Sequence, residues 1–480
     1  MRRLIVIFIF WTPLIIAFHD PYYGVLSYTL ANIIRPEQLM WGDKSAAGRI
    51  YLMTQLVCFI SWLINKNSEK LTPAFTPVSS QQKIFWLLAI GMSIVSAFSL
   101  NKNLSWMWTI SFWKMTLYTF VMAKSINSAK KFELYYAMSL VLFTLLAIWG
   151  IQQKFGGNTR MEGLGGEQLS DINDISSVYV MLFPMTYYFL FSRKKWIRVF
   201  VAIPSFLVFT IFILFGGSRG AFLGLIGVMG YIFIRSPFTQ KIKMLGTLVL
   251  VGGVLIGVLI NLAPEGFFDE YTKRLSTIFG KEDVESGEVE REGSSAGRIA
   301  MWKGALQVYR TQPQYWVTGV GMRVYPHIYA RHFDVISEVL DPEEFALIYH
   351  EGKGGKAIHN TQINVLVSGG LLVFPLWCIL IAFVWLQLHF IPRRYPRIVD
   401  GINIHSFAMA LEAGLVGWII CMTFLNLELV DFFYWHLAMG GIVANLGKAK
   451  LRREAMGEED GEEEIMFGQA CKHLPESFSY

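Results

Sequence analysis

Three places in this 480-residue chain combine residues that could hold an anion and move a proton. The first is Gly216-Gly-Ser-Arg-Gly220, a turn between two apolar stretches. The second is Arg298, in a long polar segment. The third is His359-Asn360, where another apolar stretch begins. A helix N-terminus at each of the first and third places would offer unpaired N–H groups and partial positive charge, which favour a phosphate. Arg219 would add bidentate phosphate binding. His359 would add a base that titrates near neutrality and can take a proton from a hydroxyl. Ser218 and Asn360 stand beside them as supporting groups. Bland readings exist for both: a boundary arginine can simply snorkel to headgroups, and a lone histidine is more often a hydrogen-bonded structural residue. Arg219, however, has no long apolar stem to cover, and it lies away from the other basic clusters.

The rest of the chain must bring these places together. Hydrophobic residues make up 54% and charged residues 16%, and the mean hydropathy is +0.42. With repeated long apolar runs, this predicts an all-α polytopic membrane protein. Twelve spans are expected: 4–18, 50–64, 84–99, 105–122, 132–151, 172–191, 198–215, 220–234, 243–262, 358–388, 403–426 and 431–447. Residues 1–18 begin like a signal peptide, but no small-x-small cleavage site follows, so an uncleaved first span is the better reading. The basic clusters fall on one face if the apolar stretch 22–34 lies in the interface or re-enters rather than crossing. That choice puts both termini inside. It puts 152–171, 216–219, 263–357 and 427–430 outside.

The domains follow: 1–262 with helices 1–9, an outer, mostly helical loop domain at 263–357, 358–447 with helices 10–12, and an acidic cytoplasmic tail at 448–480. In the outer segment, Lys281 to Glu292 reads as an acidic stretch. Ala296 to Arg310 reads as an amphipathic helix with Ile299, Trp302, Leu306 and Tyr309 at helical spacing and Arg298 in its first turn. Gly319-Val-Gly321 breaks the pattern, Asp341-Pro-Glu-Glu344 starts another helix, and Gly352 to Gly355 forms a hinge. The loop 152–171 is glycine-rich, with Arg160 and nearby Asn173 as its informative polar residues; its composition alone reads as a connector. Lys114 and Glu412 are intramembrane charges, which are costly and often functional.

Several classes lose support. The net charge of +6 is spread in short clusters between apolar runs, a topology signal rather than a nucleic-acid one. Cys58, Cys378 and Cys421 lie in apolar spans and Cys471 in the tail, so neither a disulfide framework nor a zinc site is expected. There is no Walker A motif, and no Asp-x-Asp on the outer face, so neither a metal nor another cofactor is expected. No pair of matching broken helices marks a secondary transporter.

Taken in order, the motifs resemble a known family. His19-Asp-Pro-Tyr-Tyr-Gly-Val-Leu, Asn32-Ile-Ile-Arg-Pro-Glu-Gln-Leu-Met-Trp-Gly42, Arg160-Met-Glu-Gly and Asp171-Ile-Asn-Asp174 come first. Gly217-Ser-Arg-Gly-Ala-Phe, Gly297-Arg-Ile-Ala-Met-Trp-Lys, Gly319-Val-Gly321 and His359-Asn-Thr-Gln follow. The set is similar to the O-antigen ligase and polymerase superfamily of bacterial inner membranes, and more narrowly to the O-glycosylation ligases associated with the exosortase A system. The resemblance implies a GT-C-like fold and a metal-independent, inverting glycosyl transfer on the periplasmic side. The donor it implies is a glycan on undecaprenyl pyrophosphate. Arg219, Arg298 and Arg160 would then bind the donor pyrophosphate and His359 would assist the acceptor hydroxyl, with Asn360, Ser218 and Asn173 in support. The acceptor stays open between a protein, a lipid core sugar and an exopolysaccharide. A polymerase, a lipid-glycan transporter and a scaffold of a secretion machine are the alternatives.

Overall fold

The structure, a computed structural model, describes residues 2–36, 45–66, 80–156, 169, 171–238, 241–242, 246, 253, 257, 295–350, 354–355 and 357–456. The expected span 243–262, the acidic stretch 281–292, Arg160 and the tail beyond 456 lie outside or almost wholly outside these residues. Every other expected span coincides with a helix. Such helices satisfy their own backbone, as any segment in lipid must. In order they are α1 (Arg2–Ala17), α2 (Pro21–Ile33), α3 (Ser45–Asn65), α4 (Ser80–Phe98), α5 (Lys102–Ser125), α6 (Ala129–Phe155), α7 (Ile172–Phe189), α8 (Ile203–Phe215, entered through a π-helical turn) and α9 (Arg219–Arg235). The polar segment holds α10 (Ser295–Thr311) and the short α11 (Tyr325–Ile328), α12 (Phe333–Ser337) and α13 (Pro342–Ile348). Then come α14 (Thr361–Arg394), α15 (Ile404–Met422) and α16 (Asp431–Ala455). Among the described residues, five helical stretches are long and apolar enough to cross a membrane: Ser80–Phe98, Ala129–Lys154, Ile197–Phe215, Thr361–Arg394 and Ile404–Met422. Phe8–Ala17 and Leu52–Asn65 are shorter apolar helices. The chain is an all-α, multi-pass membrane protein.

Polar contacts mark the two ends of the bundle. At one end Lys131 pairs with Asp20 at 2.8 Å, Ala129 N donates to Asp400 at 3.1 Å, and Arg453 reaches the same carboxylate at 3.4 Å. At the other end Asn32 Nδ2 donates to Asp431 at 3.1 Å. Helix α2 therefore begins at the Asp400 end and finishes at the Asp431 end. It runs antiparallel to α1, where Ser27 Oγ donates to Phe10 O at 3.4 Å, and to α3, where Gln55 Nε2 donates to Tyr28 OH at 2.8 Å.

The stretch 22–34, expected to lie in the interface or to re-enter, forms α2. An interfacial helix keeps one face in water or headgroups, whereas α2 is buried on nearly all sides, with Val25, Tyr28, Ala31 and Ile33 in the core. With α1 antiparallel to α2, residue 2 lies toward the Asp431 end while residue 455 lies at the Asp400 end.

The polar segment has a small core of its own, built from Ala300, Met301, Ala305, Val308, Tyr325, Tyr329 and Ile336. The face of α10 differs from expectation. Its buried side is the short-residue side, where a Cβ on Gly304 would sit 3.1 Å from Ile336. Ile299 and Leu306 are exposed. Small residues let α10 approach α12 closely, and that close contact outweighs burying two larger side chains. The glycines expected as a hinge contribute Gly354–Gly355, which pairs antiparallel with Tyr349–His350.

This segment docks into a break in α14. Gly370 has φ 58° and ψ −161°, a conformation essentially restricted to glycine. The freed backbone groups are taken up by 316–321. Val320 N donates to Val367 O at 3.0 Å, Gly321 N to Ser368 O at 3.0 Å, and Leu371 N to Trp316 O at 2.8 Å. A broken helix at membrane depth is tolerated where other backbone groups satisfy it in this way.

Candidate functional site

Arg219 is the first residue of α9. Gly217, at φ 62°, turns the chain, and buried Ser218 caps the helix by accepting from Ala221 N at 3.4 Å. Glycines flank the turn because backbones crowd it. A Cβ on Gly216 would lie 3.2 Å from Ser176 Oγ and 3.4 Å from Ile172, at the start of α7. One on Gly220 would lie 3.4 Å from Phe424 Cβ, in the connector between α15 and α16.

The same connector holds the start of α14. Asn360 Oδ1 accepts from Ile363 N at 2.9 Å as the helix cap, while its Nδ2 donates to Thr423 O at 3.1 Å. Fully buried Thr361 donates from Oγ1 to Leu425 O at 2.7 Å and accepts from Leu427 N at 2.8 Å. His359, just before the cap, has φ 51°. A non-glycine residue in this left-handed region stores strain, of the kind that clusters at functional sites.

Arg298 arrives from the polar segment. One turn further along α10, Trp302 Nε1 donates to Ile358 O at 3.0 Å, next to His359. Arg298 is half-buried, and burial, followed by the nearby charge of Arg219, holds its guanidinium below the usual arginine range. Thus Arg219, Arg298 and His359, far apart in sequence, are brought to one end of the bundle by a shared set of contacts. Chemically, such a site could offer two cations to one anion, with His359 at the same end of the bundle.

The supporting residues are distributed unevenly. Asn173 sits in the first turn of α7, its N–H donating to the capping Asp171 carboxylate at 2.7 Å, beside Ile172, which borders Gly216. Arg160 lies outside the described residues. One residue was missed. Arg323 has φ 56°, its Nε donates to buried Glu428 at 2.9 Å, and its guanidinium lies 4.3 Å from the centre of the Trp108 ring. Its neighbourhood to Gly319-Val-Gly321 was the available signal. Of the two charges expected within the membrane, Glu412 is explained by packing: it accepts from His389 Nδ1 at 2.7 Å and pairs with Arg235 at 3.3 Å. Lys114 instead lines a cavity.

Comparison with known families bears on the segment that carries these residues. Residues 203–378 match the O-antigen ligase family model, Wzy_C. The match runs from the first residue of α8 into α14 and so includes Arg219, Arg298, Arg323, His359 and Asn360. It supports a place in the O-antigen ligase and polymerase superfamily, and with it a membrane enzyme class that handles lipid-linked glycans. No curated protein matches the chain. The matched segment is also the part that the 423–430 connector and the break in α14 hold in position.

Proposed function

We propose that this protein is a periplasmic-face glycan ligase of the bacterial inner membrane. It transfers an oligo- or polysaccharide from undecaprenyl pyrophosphate to an acceptor hydroxyl. The observation that carries the reading is the half-buried Arg298 beside Arg219, two like charges that a shared anion would favour. The acceptor oxygen attacks the anomeric carbon from the face opposite the pyrophosphate. A new C–O bond forms as the bond to the phosphate oxygen breaks, and the configuration inverts. The acceptor proton passes to His359. The electron pair leaves with undecaprenyl pyrophosphate, whose growing charge is stabilised by Arg219 and Arg298, with Arg160 added from the 152–171 loop. Arginines fixed in place can do here what a metal does in other glycosyl transfers. A protein hydroxyl, as in the exosortase-associated ligases, is one acceptor that fits. The Asp431 end is assigned to the periplasm and the C-terminal tail to the cytoplasm, in keeping with the basic residues at 193–198, 235–243, 393–397 and 448–453.

A polymerase that joins repeat units uses the same donor chemistry and is the second reading. A transporter of lipid-linked glycan would keep working without His359. The test compares host cells carrying wild type, a deletion or His359→Ala at matched protein levels. Undecaprenyl-linked glycan and finished surface glycan are both quantified. Lost product with retained long-chain donor in both mutants is the expected result. Retained single units would indicate the polymerase, and normal product in His359→Ala would overturn the catalytic role of His359.

A further inference from the structure

A cavity of about 220 Å³ is lined in part by residues that neighbour this site along the chain. Asp174, next to Asn173, forms one wall, and Leu429 to Asp431, continuing the connector that holds Asn360, form another. Arg323 and Arg35 enter from two further elements. Helix α5 contributes Trp108, Ser111, Lys114 and Met115, whose spacing puts them on one face. Lys114 forms no hydrogen bond or ion pair with any described residue. Its side chain is exposed, so its ammonium can donate to a ligand that enters the cavity.

The lining distinguishes among ligands. Two carboxylates on the wall, Asp174 and Asp431, disfavour a phosphate. Three cations disfavour an acyl chain. Charged donors and charged acceptors together with the aromatic side chains of Trp108 and Tyr28 suit a hydroxyl-rich ring. At about 30 Å³ per water, the volume equals roughly seven waters, enough for one sugar ring. We propose that this cavity is a saccharide subsite taking one sugar unit of the glycan, with Lys114 donating to its hydroxyls. The proposal rests on the ligase reading for the identity of the glycan. Its test reads binding alone.

The test uses the full chain in lipid nanodiscs with Ser111→Cys, and with Cys378→Ser and Cys471→Ser to remove other reactive thiols. Ser111 lines the cavity and is exposed to it, so a small maleimide should label the new thiol. Three probes are added in turn: lipid-linked glycan from the host, the same glycan released from lipid, and inorganic pyrophosphate. Either glycan should slow labelling at least five-fold while pyrophosphate leaves it unchanged. Protection by the lipid-linked form alone assigns the subsite to the donor. Protection by released glycan as well assigns it to the acceptor. Lys114→Met should raise the protecting concentration at least ten-fold, and Lys114→Arg should restore it. Protection by pyrophosphate, or by none of the three, overturns the proposal, as does an unchanged Lys114→Met. Because no turnover is read, protection persisting in a protein that transfers nothing would remove the ligase reading and leave the subsite.

Discussion

Arg298 and Arg219 come from separate segments of the chain and lie near enough that the charge of Arg219, added to burial, lowers the proton affinity of Arg298. A site that forces two guanidiniums together gives up stability in the empty state and regains it when an anion binds. Arg298→Gln should therefore leave the thermal midpoint of the ligand-free protein unchanged or raise it by about 2 °C. The same change should abolish surface glycan while lipid-linked donor accumulates. A midpoint that falls by several degrees would make Arg298 a structural residue.

The left-handed backbone at His359 gives a second separation of stability from activity. Glycine accepts φ 51° without the Cβ clash, and asparagine tolerates it better than alanine does. His359→Gly should be about 1 kcal/mol more stable than His359→Ala. Both should lose product formation by roughly 100-fold or more, the scale of a missing general base. Thermal unfolding and glycan analysis of the two variants side by side check this. Equal stability would mean that the strain is relieved elsewhere.

Much of this site was legible in the sequence, for particular reasons. Arg219 and His359 stood out because both interrupt apolar runs at points where glycine or a capping residue signals a helix start. Arg298 was legible as the first turn of an amphipathic pattern. What joins them was not. The connector acts through the carbonyls of Thr423 and Leu425 and the N–H of Leu427, and backbone groups leave no residue signature. The burial of helix α2 was not legible either, because charge counting reads the loops, while its packing is set by Gly24 on Cys58 and by Tyr28. The face of α10 was misread because large apolar side chains weigh more in a periodicity than Gly304 and Ala305, which make the closest contact.

Acid should loosen the polar segment through His332. Burial, followed by the charge of Arg331, lowers this imidazole below its usual 6.5, and its Nε2 lies 3.1 Å from Tyr315 OH. The unfolded chain then binds the proton more readily than the folded one. The stabilisation is complete above pH 6.5 and is lost as pH falls through that value toward the folded pKa. Amide exchange in 313–340 should speed up between pH 7 and pH 5, and His332→Phe should flatten the response. A profile unchanged by the substitution would assign the pH dependence to another group.

The break in α14 should tolerate no side chain. A Cβ on Gly319 would stand 2.3 Å from Ser368 O, and one on Gly370 would stand 2.5 Å from Val317 O. Both are backbone atoms that cannot swing aside, and both glycines have positive φ. Alanine at either position must part the strand-like pairing of 316–321 with 367–372. At several lost hydrogen bonds worth about 1 kcal/mol each, plus the strain, the cost exceeds roughly 3 kcal/mol. Undocking would carry Arg298 and Trp302 away from His359 without altering any of the three. Gly319→Ala should therefore behave like Arg298→Gln in glycan output, but with a lowered thermal midpoint and faster proteolysis within 295–350. Retained glycan output after confirmed undocking would show that the arginine of the polar segment is not needed for transfer.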